Sequence, residues 1–133
     1  MKFTADRGAA AVEMAFVAPL FLLIVLGIVD LGRALYTDLA LKEAAQEGAI
    51  YASYEPFDPV KTVNRITSSI DNPTITAANV AIDCSVPDQV AVTVTYNHPY
   101  ITPILGPMLG GSVTLQRTFI GQIVSSNPCT PYP

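Results

Sequence analysis

GAAAVEMAFVAPLFLLIVLGIV, residues 8–29, is the stretch of sequence that decides the fold. It holds one charged residue, Glu13, and one proline, Pro19, and it is bounded by Arg7 and Asp30. An α-helix rises about 1.5 Å per residue, so about twenty such residues cross a hydrocarbon core of roughly 30 Å. The composition therefore predicts a membrane-spanning helix that is kinked or loosened at Pro19.

The residues around this stretch favour retention in the membrane over removal as a secretory signal. The apolar run exceeds the about 7–15 residues of a signal-peptide core, and no clear A-x-A site follows it promptly. Lys2 and Arg7 precede the run. The positive-inside rule then places the N-terminus in the cytoplasm and the C-terminal part outside.

Composition limits the classes of function. The formal net charge is −4, so no basic surface suggests nucleic-acid binding. Much of the hydrophobic half of the chain lies in its first third, so the remainder can bury only a modest core. Most of the 11 prolines follow Tyr54, which predicts loops and short strands in that part.

Helical periodicity continues beyond the apolar span. Apolar residues recur at helical spacing and polar residues fill the other faces. The apolar stripe consists of Leu31, Leu35, Leu39, Leu41, Ala45, Ala49 and Ala52. No strong helix breaker precedes Glu55-Pro56, so we expect one helix that runs from the membrane into a soluble stalk.

A second, short helix is predicted over residues 58–70. Asp58 can cap its first turn, and Pro59 suits the first helical position. Asp71-Asn72-Pro73 ends it. Its apolar face is expected to consist of Val60, Val63, Ile66 and Ile70.

Alternating β-branched residues predict three strands. The first, residues 80–86, places Val80, Ile82, Cys84 and Val86 on one face. The second, residues 90–96, turns Val90, Val92, Val94 and Tyr96 inward. The third, residues 112–124, carries Val113, Leu115 and Phe119 on one side.

The two cysteines, Cys84 and Cys129, both follow the membrane segment. In an oxidising compartment we expect them to form a disulfide, which would pin the proline-rich C-terminal tail to the sheet. The alternative is that both are unpaired, small core residues.

The loop between the second and third strands is apolar but interrupted by proline and glycine, and it is too short to span a membrane. Its candidate interface residues are Ile101, Ile104, Leu105, Met108 and Leu109. Such a patch marks an interface or a membrane surface. The alternative is that these side chains cover the open end of the sheet.

The sequence carries no catalytic or cofactor motif. His98 is the single histidine and is interpreted as a loop residue at a strand end, without the partners that a metal site needs. Gly106–Gly111 matches neither a P-loop nor a dinucleotide fingerprint. No nucleophile–base pair is evident. We therefore predict no enzyme activity and no cofactor.

The residues around the apolar span resemble a known family. Gly8 is followed by three alanines, Val12 and Glu13, so a cut after Gly8 would make Glu13 the fifth residue of the mature chain. This pattern resembles a type IV prepilin cleavage site. Residues 7–20 and 27–33 are similar to the TadE/TadG-like pseudopilins of the tight-adherence (Tad, Flp-type) pilus system, as are residues 44–49 and 102–106.

The resemblance departs from the major Flp pilins in two respects. These usually carry tyrosine after the glutamate, whereas Met14 stands here, as apolar residues do in TadE-like proteins. The chain is also much longer than a major pilin. Both differences favour a minor subunit.

The resemblance implies roles for three residues. A prepilin peptidase would cleave between Gly8 and Ala9. Glu13, one helical turn beyond, would pair with the new ammonium group of Ala9 or with that of a neighbouring subunit. This pairing would offset the cost of a carboxylate within the membrane. The alternative is that Glu13 only reaches the lipid headgroups.

The predicted fold is α+β and pilin-like. Residues 1–8 would form the leader, 9–29 the transmembrane helix and 30–133 an extracytoplasmic domain. That domain would contain a helical stalk (30–54), a short helix (58–70) and a small antiparallel sheet of about three strands (79–125).

Three hypotheses for function follow. The first is a pseudopilin of the bacterial inner membrane, with a prepilin peptidase, other pilins and the assembly machinery as partners. The second is an uncleaved, membrane-anchored accessory or scaffold protein. The third, a tethered enzyme, lacks a catalytic set.

Overall fold

The computed structural model describes residues 3–102, 105–108 and 110–133. The first helix, α1, covers Phe3–Tyr54 and contains Pro19. It ends where the sequence predicts, because the residue before Pro56 is disfavoured in the helical conformation. The long helix, the short second helix and the three-stranded antiparallel sheet confirm the predicted α+β fold.

Only the C-terminal part of the predicted apolar stripe on α1 is buried. Its members beyond residue 40 lie in the core: Leu41, Ala45, Ala49 and Ala52 are at most 2% exposed. The prediction for Leu31, Leu35 and Leu39 was wrong, since all three are more than half exposed. At about 100° per residue, Leu39 lies nearly opposite Leu41 on the helix.

The second helix, α2, covers Pro59–Ser69. The Asp58 carboxylate caps it by accepting a hydrogen bond from the amide of Lys61 at 3.1 Å. Val63 and Ile66 are buried as predicted, whereas Val60 is 59% exposed and Thr62 takes a buried position instead. Val60 lies in the first turn of α2.

The sheet is antiparallel, in the order β1 (Val80–Asp83), β2 (Gln89–Pro99) and β3 (Ser112–Gln122). In its register Val92 pairs with Ile82 on one side and with Phe119 on the other. Valines 90, 92 and 94 of β2 are fully buried beneath the helices, as the alternation predicts.

The first strand is shorter than predicted. It ends at Asp83, whose carboxylate accepts hydrogen bonds from the amide and the hydroxyl of Ser85 and so turns the chain. Val86 therefore lies outside the strand and is 51% exposed, which corrects the prediction that it faces the core.

The C-terminal tail covers the free side of β1. Ile82 and Tyr132 form an antiparallel bridge with two backbone hydrogen bonds of 2.9 Å. Cys84 and Cys129 are joined by a disulfide, with their Cα atoms 5.8 Å apart. The tail thus protects one edge of the sheet from pairing with another chain.

Two glycines allow the elements to approach closely. A Cβ added at Gly48 of α1 would lie 2.6 Å from Cγ1 of Ile66 and 3.2 Å from Cγ1 of Val92. A Cβ added at Gly121 of β3 would lie 2.8 Å from the backbone oxygen of Ala49. Helix α1 therefore lies so close to Ile66 of α2 and to β3 that a side chain at either glycine would require a neighbouring atom to move.

Candidate functional site: the apolar helix and its junction with the head

The predicted processing residues lie on the free N-terminal part of α1. Gly8, Ala9 and Glu13 are all exposed, and Glu13 stands one helical turn beyond Ala9. A Cβ at Gly8 would meet no atom within 4 Å. The site is therefore open to an enzyme, and nothing in the described part of the chain covers the glutamate.

The folded part of the chain, formed by α2, the sheet and the C-terminal portion of α1, is called the head. The apolar side chains of the N-terminal segment of α1 have no partner within the described residues of this head. Phe16 is 78% exposed, Phe21 63% and Ile28 64%. Helix α1 is long and apolar enough to cross a membrane, and its most apolar window buries nothing against the head. It is a candidate membrane anchor.

A buried polar cluster marks the point where α1 leaves this segment and meets the head. We call it the junction cluster. It consists of Asp30, Arg33, Thr37, His98 and Thr102.

Asp30 is 4% exposed and binds the loop after β2. Its carboxylate oxygens accept hydrogen bonds from the amides of Ile101 (3.0 Å) and Thr102 (2.9 Å) and from the hydroxyl of Thr102 (2.5 Å). The guanidinium of Arg33 lies 3.8 Å away, one turn further along α1. A single side chain of α1 thus holds two successive residues of the loop.

These contacts set the protonation state of the carboxylate. The hydrogen bond from the Thr102 hydroxyl, followed by those from the backbone amides of Ile101 and Thr102, lowers the pKa of Asp30 despite its burial. The carboxylate is therefore ionised at neutral pH, and the positive charge of Arg33 also favours this state.

His98 is the second titratable group of the cluster. It belongs to β2, is 2% exposed, and its Nδ1 shares a hydrogen bond of 3.2 Å with the hydroxyl of Thr37. Burial, followed by the charge of Arg33, lowers the pKa of His98, so the ring is neutral at neutral pH. Its Nε2 has no hydrogen-bond partner among the described residues.

The interpretation of His98 as a loop residue was wrong. The register of β2 continues from valines 90, 92 and 94 through Tyr96 to His98, so the ring points to the same face as the valines. The pairing of His98 with Val113 of β3 extends the strand through Pro99. The alternation beyond Tyr96 could have predicted this.

The role of Asp30 was missed for a different reason. Its charge marks the end of the apolar span, but its position also continues the buried face of α1, seven residues before Thr37 and eleven before Leu41. Helical periodicity could therefore have placed it on the inner face. Its partner in the loop, 72 positions later, has no sequence signal.

The predicted interface residues of the loop are only partly described. Ile101 is 57% exposed. Leu105 and Met108 belong to a short helix, α3 (Leu105–Met108). Ile104 and Leu109 lie outside the described residues.

Comparison with curated proteins and with solved structures gave no match. Comparison with protein families gave one match. Residues 8–49 match the family described as TadE-like protein, which confirms the resemblance drawn from the residues around the apolar span: this segment of the chain is similar to that family.

Proposed function

We propose that the chain is a minor pilin, or pseudopilin, of a Tad-type adhesive pilus. It would be inserted once in the bacterial inner membrane, with the N-terminus in the cytoplasm and the head outside. A prepilin peptidase would remove residues 1–8, and the mature chain would then join other pilins through the assembly machinery. The disulfide between Cys84 and Cys129 suits a head in an oxidising compartment.

One observation carries the proposal: the TadE-like match, over residues 8–49, includes the part of α1 that leaves its apolar surface open. The match begins at Gly8, the residue before the expected cut. From there to Val29, large apolar side chains are exposed with no partner in the head. Such a surface needs a lipid bilayer or neighbouring helices to cover it.

Glu13 fits both a lipid bilayer and a packed assembly of neighbouring helices. A carboxylate is costly in a bilayer, and pairing with an ammonium group reduces that cost. Cleavage after Gly8 would create an ammonium group at Ala9, one helical turn away. In an assembly, the ammonium group of a neighbouring subunit could take the same place and set the axial position of the two helices.

The first test is the mature N-terminus. The full-length chain is produced in cells with the matching prepilin peptidase, or with a catalytically inactive form of it, and its intact mass is measured. Processing predicts that residues 1–8 are lost only with the active peptidase. An intact leader in both cells would overturn the pseudopilin assignment and support the uncleaved, anchored accessory protein.

Two glycine variants provide matched controls. Gly8→Leu places a large side chain beside the expected cut and should block processing. Gly32→Leu makes the same change in the same helix, where an added Cβ also meets no atom within 4 Å, and should be processed normally. Equal processing of both variants would contradict a cut at Gly8.

The role of Glu13 is tested by Glu13→Gln, with Glu43→Gln as the control. Both residues are exposed on α1, and both changes remove one negative charge. We expect both variants to insert and be cleaved, but only Glu13→Gln to be lost from sheared pilus fractions. Normal incorporation of Glu13→Gln would refute the proposed pairing while leaving the processing result intact.

A further inference from the structure

The loop that Asp30 holds lies at the level where the apolar span of α1 ends. Asp30 directly follows the residues expected to cross the membrane, 9–29. Side chains on an α-helix are tilted toward its N-terminus, so the carboxylate reaches toward the bilayer. The amides of Ile101 and Thr102 lie within 3.0 Å of it. In an anchored chain, these residues lie at the membrane surface.

The loop has the composition of a segment that meets lipid. Residues 99–111 contain no charged side chain. Ile101, whose amide bonds to Asp30, is 57% exposed, and the adjacent Tyr100 is half-buried. An aromatic residue with a hydroxyl group is typical of the bilayer interface.

Several backbone positions of the loop also have no amide that needs a hydrogen bond from water. Pro99, Pro103 and Pro107 have no amide hydrogen. The amides of Ile101 and Thr102 bond to Asp30, as described above. An unsatisfied amide is costly where lipid replaces water, so satisfying these donors within the protein lowers the cost of contact with a bilayer.

Three further amides of the loop also donate within the protein. The amide of Tyr100 donates to the carbonyl of Gly111 at 3.2 Å, that of Gly106 to Thr102 at 3.0 Å, and that of Gly111 to Gly106 at 2.7 Å. Five amides of the loop thus have their hydrogen-bond partners within the protein.

Asp30 and Arg33 together bring no net charge to the level of the loop. The carboxylate of Asp30 is offset by the guanidinium of Arg33, which lies 3.8 Å away and whose side chain is 41% exposed. The carboxylate itself is buried, at 4% exposure, and is bonded to the loop.

We propose that Ile101 and the adjoining part of the β2–β3 loop rest in the headgroup region of the outer leaflet and hold the head against the bilayer before assembly. The inference rests on the membrane-anchored stage of the proposed function. It assigns the exposed loop to a lipid surface rather than to another subunit.

Tryptophan fluorescence can test this directly, because the chain contains no tryptophan. The full-length chain is reconstituted in phosphatidylcholine–phosphatidylglycerol vesicles, with and without lipids that carry bromine on the acyl chains. Ile101→Trp places the probe on the loop. Its side chain is exposed, so the substitution disturbs no core contact.

Two further tryptophan variants provide reference signals, one from the apolar span and one from the far end of the head. Phe21→Trp reports from the apolar span, where the native side chain is 63% exposed. Val124→Trp reports from the opposite end of the head, because the amide of Val124 bonds to the carbonyl of Ser53. Ser53 lies 23 residues beyond Asp30 on α1, or about 35 Å along the axis. Val124 itself is 72% exposed.

The proposal predicts that brominated lipid quenches Ile101→Trp, with blue-shifted emission, and leaves Val124→Trp unchanged. If Phe21→Trp is quenched and Ile101→Trp behaves like Val124→Trp, the loop lies off the membrane and the inference fails alone. Blue-shifted but unquenched emission from Ile101→Trp would mean that protein covers the loop, which also overturns it. If Phe21→Trp itself is unquenched, the chain is not anchored, and the proposed function fails as well.

Discussion

Replacing Gly48 by alanine tests how tightly α1 contacts α2. The new methyl group would meet Cδ1 and Cγ1 of Ile66, the latter at 2.6 Å, with Cγ1 of Val92 behind it at 3.2 Å. Ile66 is fully buried. Overpacking of this kind costs about 1–3 kcal/mol, whereas glycine to alanine within a helix gains about 1 kcal/mol.

A double-mutant cycle separates these two effects. Ile66→Ala alone should cost about 2–5 kcal/mol, because it leaves a cavity. In that background the methyl group of Gly48→Ala enters the cavity, so only the helix-propensity gain of about 1 kcal/mol is left. Gly48→Ala should therefore destabilise the wild-type head by up to about 2 kcal/mol and stabilise the Ile66→Ala head. The coupling energy equals the overpacking term of about 1–3 kcal/mol.

The assay is urea unfolding of the full-length chain in detergent micelles, followed by tyrosine near-ultraviolet circular dichroism with the disulfide intact. Gly32→Ala is the control, since it gives α1 the same gain in helix propensity with no atom within 4 Å of the added carbon. If Gly48→Ala stabilises both backgrounds, Ile66 yields and the contact is loose. If it destabilises both equally, the clash is with another residue.

Three other perturbations have defined outcomes. Gly121→Ala should destabilise the head by about 1–3 kcal/mol in the same urea assay, because the new carbon meets a backbone oxygen of α1 that cannot turn away; an unchanged midpoint would contradict this. Reduction of Cys84–Cys129, which closes a loop of 45 residues, should cost about 4 kcal/mol in the chain-entropy treatment, and Cys84→Ser with Cys129→Ser should unfold at the same urea concentration as the reduced chain. Because the hydrogen bond from the Thr102 hydroxyl and those from the loop amides lower the pKa of Asp30, its stabilisation is complete above its ordinary pKa of 3.8 and is lost as the pH falls through the lowered value. The melting temperature of Asp30→Asn should therefore fall less than that of the wild type on acidification below pH 3.8, and parallel profiles would refute the role of this carboxylate.

Local patterns were sufficient to predict the main elements. The alternation of valines fixed the face of β2 that is buried, and the lack of a strong breaker before Glu55-Pro56 predicted the end of α1. Asp58 and Pro59 marked the start of α2, because capping depends on neighbours in sequence. These features need no knowledge of distant residues.

The point at which α1 enters the head could not be predicted from local patterns. Leu31, Leu35 and Leu39 have the spacing of a core stripe, but all three are more than half exposed. Which face of α1 is covered there depends on where the β2–β3 loop docks, and that is decided by hydrogen bonds across 71 and 72 positions. Apolar periodicity does not detect a contact made by a carboxylate with backbone amides.

The face of α1 that meets the head changes chemistry along its length. Toward the C-terminal end it presents Leu41, Gly48 and Ala52, whose contacts are short-ranged but tolerate small shifts along the axis. Toward the apolar span it presents Asp30 and Thr37, whose hydrogen bonds depend on distance and angle. A slide by one residue, about 1.5 Å, would break the bonds to the loop and leave a buried carboxylate unpaired, at a high cost. The polar contacts therefore set the height of the head above the apolar span. A subunit whose head must stand at a fixed level, whether above a bilayer or along a filament, needs the second kind of contact at the end where its helix leaves the head.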